Sequence, residues 1–182
     1  FLIKAQYTVT NHLNLFSKKN TPVLSIAQDE TGYVWLGSKE GVVRFDGKNI
    51  KTFNQSSGLP LEKITAIYCF KNNEIYLGTD KGKVFLLRNE TTIDSVTFSS
   101  EAPDVKITGF YKKDGQLFVC TYGNGIYYFE NGTQKGHLTS QNALADDVIY
   151  TMKLVNGKLW CGTDAGISII DPENPKAEAG LA

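Results

Sequence analysis

The side chains that could do chemistry come first. The chain has two histidines, His12 and His137, with no recurring neighbour. A nucleophile–base pair needs a histidine held beside a serine or cysteine and a third group that orients it. Neither histidine lies in such a pattern. Cys69, Cys120 and Cys161 sit singly inside apolar runs, without the paired spacing of a zinc site. They read as small buried residues, and spacing leaves a Cys120–Cys161 bridge open. Glu40, Asp80, Asp146 and Asp164 fall in short polar segments. Acid–base cleavage of a glycosidic bond would need two carboxyls aimed into one cleft, and solvated loop acids account for these four. "YGNGIYY" (122–128) is glycine-rich but lies between strand-like runs rather than ahead of a helix, so it is not read as a phosphate loop. No catalytic residue, metal ligand or cofactor is expected.

Composition agrees with a folded chain of no net charge. Nineteen basic and nineteen acidic residues balance, with no long run of one sign, so a nucleic-acid partner is not expected. At 41% hydrophobic the chain can build a core, and no apolar run reaches the roughly 18–20 residues of a membrane-spanning helix. The opening "FLIKAQ" (1–6) reads equally as the remnant of a secretory signal cut after Ala5 or as an ordinary strand.

What must position any site is a repeat. "VWLGSKEGVVRF" (34–45) returns as "IYLGTDKGKVFLL" (75–87), "LFVCTYGNGIYYF" (117–129) and "LWCGTDAGISII" (159–170). Trp35, Tyr76, Phe118 and Trp160 recur at 41, 42 and 42 residues, and Gly41, Gly82, Gly125 and Gly166 at 41, 43 and 41. Units start near residues 23, 64, 107 and 148. In the first, 23–29, 33–38, 42–46 and 50–53 alternate or are β-branched and aromatic, with turns between. Asp114-Gly115 and Asn156-Gly157 are two-residue hairpin signals, which ask for positive φ at both positions. A period of about 40–45 residues with four short strands is that of a β-propeller blade. The fold expected is all-β: a propeller of four-stranded antiparallel blades, about four of them, over 7–172. A lone blade cannot bury both faces of its sheet, so Trp35, Tyr76, Phe118 and Trp160 are expected between blades. Unit four stops after its third strand, and 7–16 reads as the outer strand of an adjacent or closing blade. Two arrangements follow, an arc of a larger propeller or a closed four-bladed ring, and the arc is preferred. Residues 173–182 read as a tail.

Strand order puts the loops at 54–63, 99–106 and 139–147 on one face with those at 38–41, 79–82, 121–125 and 163–166. Loops on a rigid scaffold are where ligands bind. "TYGNG" in unit three is one residue longer than "SKEG", "TDKG" and "TDAG", and an insertion on one face of one repeat marks a binding loop. Sugars need aromatic faces with amide or carboxylate partners. Tyr122 and Asn124 fit best, followed by Lys39, Lys81, Asp80 and Asp164.

Unit one, "SIAQDETGYVWLGSKEGVVRFDGKNIKTFNQSSGLP" (25–60), resembles the two-component regulator propeller repeat through Asp29, Gly32, Trp35, Gly37, Ser38, Gly41, Arg44, Phe45, Asp46, Gly47, Gly58, Leu59 and Pro60. Unit four keeps Gly157, Trp160, Gly162, Thr163, Gly166 and Asp171, whereas Cys120 replaces the motif glycine in unit three and Pro103 alone remains of unit two's Gly-Leu-Pro. The resemblance implies a segment of the extracytoplasmic sensor region of a hybrid histidine kinase, periplasmic or extracellular, that binds an oligosaccharide and is not itself an enzyme. Its partners would be that ligand, the remaining blades and kinase of a longer protein, and a second copy of the chain. The alternative is a secreted or surface propeller serving as a protein–protein scaffold, and a carbohydrate-active enzyme fragment ranks last. "DETGYVW" (29–35) also resembles the Asp-box turn of sialidase propellers. Those enzymes grip a carboxylate with three arginines, and this chain has only Arg44 and Arg88. Asp29 is better read as a turn residue bonding its own backbone.

Overall fold

The computed structural model describes residues 15–16, 20–71, 73–99 and 104–175. The expectations for 1–6 and 7–16 fall almost wholly outside these residues. Four antiparallel sheets follow one another along the chain, each a simple meander. Blade one is β1 (Ser25–Gln28), β2 (Val34–Ser38), β3 (Gly41–Phe45) and β4 (Ile50–Phe53). Blade two is β5 (Ile64–Phe70), β6 (Glu74–Thr79), β7 (Val84–Arg88) and β8 (Thr92–Ser95). Blade three is β9 (Ile107–Lys113), β10 (Gln116–Thr121), β11 (Ile126–Glu130) and β12 (Thr133–Leu138). Blade four has three strands, β13 (Ile149–Val155), β14 (Lys158–Thr163) and β15 (Gly166–Ile170). A single 3-10 turn, Gln55–Ser57, starts from Asn54, whose side chain accepts from Ser56 N. Among the described residues no helix is long and apolar enough to cross a membrane.

The blades pack in chain order, β1 against β5, β5 against β9 and β9 against β13. Each interface buries the repeated aromatic of one blade on aliphatic residues of the next. Trp35, Val42 and Phe53 meet Ile75, Leu77 and Leu87; Tyr76 and Leu86 meet Ile107, Leu117 and Val119; Phe118 and Ile126 meet Ile149, Leu159 and Cys161. Hydroxyls tie the inner strands across these seams: Ser25 Oγ donates to Ile64 O at 3.1 Å and Thr65 Oγ1 to Ile107 O at 2.7 Å.

The motif glycine is explained by this packing. A Cβ on Gly37 would stand 2.8 Å from Ile64 O and 2.9 Å from Ile64 Cγ2, and one on Gly78 would stand 2.4 Å from Ile107 Cγ2. The first residue of the next inner strand therefore lies across the bare Cα. Cys120 takes this place in blade three, its thiol sulfur 3.7 Å from Met152 Sδ.

Trp160 departs from the expectation. Trp35, Tyr76 and Phe118 are buried between blades, but Trp160 is 40% exposed and Ile169 opposite it 42%, with Ile167 on the same face 62%. The face that seats each blade on its successor is uncovered on blade four. Val23, Leu24 and Ile26 are exposed at the opposite flank. Among the described residues the bare Trp160 face is consistent with an open arc of a propeller, while on blade one's other face Leu36 and Val43 are buried.

The turns carry a second difference. Asn156-Gly157 has φ of 49° and 79°, as the hairpin signal requires, and Asn131-Gly132 matches it at 49° and 80°. At Asp114-Gly115 only Asp114 is left-handed, with φ 49°. A Cβ on Gly115 would meet only the Asn131 side chain, whose Oδ1 lies 2.3 Å away and can turn aside.

Candidate ligand site on the loop face

The Ser or Thr that closes each repeated phrase builds the loop face. Thr79 Oγ1 accepts from Lys81 N and Lys83 N, and Thr121 Oγ1 accepts from Asn124 N while donating to Gly125 O. Ser38 Oγ accepts from Glu40 N in the same manner. These hydroxyls are buried, so they satisfy loop amides that water does not reach. The loops are thereby held as rigid extensions of the strands.

The longer loop of blade three is further pinned to blade four. Tyr122 bridges to Val148, and Gly123 N and Gly125 N both donate to Asp147 O. Tyr122 N also donates to Lys106 O at 2.8 Å, just ahead of β9. Four segments therefore converge here: the approach to β9, the 121–125 loop, β13 and the 163–166 loop.

Their side chains make one patch. The rings of Tyr122 and Tyr150 meet edge to face at 5.7 Å, and the Tyr150 hydroxyl donates to Asp164 Oδ1 at 2.6 Å. Lys106 Nζ lies 4.8 Å from the centre of the Tyr122 ring. Tyr122 is 43% exposed and Tyr150 51%; of the other described aromatics only Trp160 is exposed to a similar degree. The bond to Asp164, and then the contact with Tyr122, raise the Tyr150 hydroxyl above its ordinary pKa, so it stays a donor across the neutral range. The patch offers aromatic surface, a carboxylate with its second oxygen available, and an ammonium.

The six residues singled out from sequence do not all gather here. Tyr122 and Asp164 do. Asn124 follows Tyr122 but turns inward. Its Nδ2 donates to Tyr127 Oη at 2.9 Å, and its carbonyl pairs with His137 Nε2 at 2.7 Å. His137 in turn stacks on Tyr127 at 4.0 Å, nearly parallel. Asp80 belongs to blade two, where it accepts from Lys63 N at 3.1 Å and pairs with Lys63 Nζ at 3.0 Å. Burial pushes its carboxyl up, but the Lys63 bonds outweigh that and hold it below the usual range. Lys81 pairs with Asp104 at 3.6 Å. Lys39 lines an open cleft of about 520 Å³ with Thr52, Asn54, Gln55 and Leu61. Sequence reasoning missed Lys106 and Tyr150. Neither lies in the repeated phrase, and they are brought together by the Tyr122 N–Lys106 O bond and the Tyr122–Val148 bridge.

The remaining reactive groups are occupied structurally. Burial raises the thiols of Cys69 and Cys161 to about 12 and that of Cys120 well above its ordinary value, and none of the three is in a disulfide. A buried neutral thiol is a poor nucleophile. Asp29 accepts from Thr31 N, Tyr33 N and, at 2.7 Å, Trp35 Nε1. Burial pushes its carboxyl up, but these bonds and that of the Thr31 hydroxyl outweigh it and keep the group low. It anchors a turn and the blade's buried tryptophan.

These sheets define a β-propeller fold. Residues 17–40, which include β1 and β2, match the family model of the two component regulator propeller. No curated protein matches the sequence. Among solved structures, the chain is similar to the extracellular domain attributed to the hybrid two component system BT3049 of B. thetaiotaomicron, with 24% identity, a TM-score of 0.70, and coverage of 90% of this chain and 25% of that one. It is similar, too, to an extracellular domain attributed to the one component system BT4673 of the same organism, at 22% identity and TM-score 0.67, covering 86% of this chain and 21% of that one. The WD40 domain of Neurospora crassa Pan2 shares the fold at 17% identity and TM-score 0.62, over 87% of this chain and 49% of that one. The chain thus spans about a quarter of the length of the two bacterial domains.

Proposed function

We propose that the chain is a ligand-binding segment of an extracytoplasmic sensor propeller of the two-component type, that its ligand is an oligosaccharide, and that it performs no chemistry on it. One observation carries the reading: two half-exposed tyrosines stand edge to face on the loop face, with the carboxylate of Asp164 beside them. Sugar rings present apolar C–H faces and rows of hydroxyls, and such a patch offers both complements. The family repeat in blade one and the likeness to extracellular domains of bacterial signalling systems favour the sensor setting. The bare Trp160 face favours a further blade over a free-standing unit, because each equivalent face in the chain is covered by the next sheet. A kinase would lie elsewhere in the longer protein.

The test is direct binding. Isothermal titration against a panel of oligosaccharides should give at least one binder whose affinity falls about tenfold or more in Tyr122→Ala, in line with loss of one aromatic platform. Failure of every oligosaccharide, or binding indifferent to Tyr122 and Tyr150, would overturn the proposal.

A further inference from the structure

We infer that the sugar recognised at the Tyr122–Tyr150 patch bears a carboxylate, and that Lys106 reads it. The inference rests on the oligosaccharide reading above and names its chemical class, an oligosaccharide containing a uronic acid.

Of the loop-face lysines, Lys39 at the blade-one cleft and Lys106 meet no carboxylate among the described residues, and Lys106 alone stands over the Tyr122 ring. Lys63 is bound to Asp80, Lys81 to Asp104 and Lys83 to Glu62. Lys106 is exposed, and among the described residues its ammonium meets the ring of Tyr122 and no carboxylate. A ring face attracts a cation but offers no lone pair, so the three N–H donors of Lys106 stay available for a ligand acceptor. At the other end of the patch Asp164 accepts from Tyr150. The two tyrosines are therefore flanked by a cation on the blade-three side and an anion on the blade-four side.

That polarity selects a ligand and its direction. A neutral sugar could stack on either ring but would leave the ammonium to water. A uronic acid stacked on Tyr122 places its carboxylate where Lys106 can donate to it, a charge-assisted contact. Asp164 repels the same group, so the reversed orientation is disfavoured. The hydroxyls of the next residue then fall toward Asp164 Oδ2. Because the ion pair is exposed, its contribution is screened by salt.

The experiment is an array of acidic oligosaccharides (galacturonate, guluronate and glucuronate-containing) beside neutral gluco-, galacto- and xylo-oligosaccharides, probed with the wild-type chain, Lys106→Gln and Tyr122→Ala. Thermal unfolding of both variants checks that they fold. The expected result is retention of one or more acidic glycans, weakened about tenfold in Lys106→Gln, weakened by 0.5 M salt, and lost in Tyr122→Ala. Retention of neutral glycans alone, lost in Tyr122→Ala but unchanged in Lys106→Gln, would overturn the acid specificity and leave the oligosaccharide reading standing. Retention of none would overturn both.

Discussion

Replacing Gly78 by alanine tests the packing that holds the blades together. The added Cβ would lie 2.4 Å from Ile107 Cγ2, 2.6 Å from Ile107 Cβ and 3.0 Å from Phe110 Cζ. Ile107 is buried and begins the inner strand of blade three. Its Cβ is fixed to the backbone, so relief requires that strand to move away from blade two. Overpacking of this kind costs about 1–3 kcal/mol. Removing a glycine from the unfolded chain returns about 0.4–1 kcal/mol. A net loss of about 1–2 kcal/mol should lower Tm by about 2–8 °C. Gly162 is the control. It holds the same place in blade four, but its new Cβ would meet only Thr151 Cγ2, at 3.2 Å, since no sheet covers that face. Gly162→Ala should therefore be close to neutral. Urea unfolding followed by far-UV circular dichroism gives both midpoints. The reasoning fails if Gly78→Ala matches the wild type, or if Gly162→Ala costs as much as Gly78→Ala. In a longer protein whose next blade covers Trp160, Gly162→Ala should acquire the penalty of Gly78→Ala.

Other expectations follow from single contacts. Trp35→Ala should cost about 3–5 kcal/mol and Trp160→Ala less than half as much, because one ring is buried and the other is 40% exposed; chemical denaturation of the pair decides this. Asp29→Ala leaves the indole N–H of Trp35 without its acceptor and should cost about 1–3 kcal/mol, read the same way. Glu90 adopts φ 58° while bonding Arg44 and Lys51 of blade one. Glu90→Ala loses those pairs and keeps the strained backbone, so Glu90→Gly should exceed it in stability by about 1 kcal/mol. The Asp46 carboxyl is lowered from 3.8 to about 2, first by the Asn49 amide and side chain and then by Lys48 N. Its folded pKa is below its unfolded one, so its stabilisation is full above about pH 4 and lost as pH falls through 2. Asp46→Asn should flatten the acid limb of stability against pH in that window.

Much of the fold could be read from the chain because its determinants are local and repeated. The period of Trp35, Tyr76, Phe118 and Trp160 set the blades, and alternation within each unit set the strands. Periodicity treats the four aromatics as equals, however, and burial does not: Trp160 lacks the sheet that covers the others. Gly115 looked like a residue chosen for its backbone angle, yet only Asp114 of that turn is left-handed. Half of the candidate patch was legible, since Tyr122 and Asp164 lie in the variable loops of the phrase. Lys106 and Tyr150 flank strand starts that look ordinary, and contact between blades alone makes them neighbours. Asn124 drew notice through the inserted loop, but its amide is spent on Tyr127.

The most direct test of the account is ring-¹³C tyrosine NMR of the chain titrated with the oligosaccharide panel. The account predicts shifts at Tyr122 and Tyr150 that saturate with ligand, while buried Tyr76 and Tyr127 stay in place. Shifts elsewhere with these two unmoved, or no shift with any oligosaccharide, would contradict a sugar-binding site on this face.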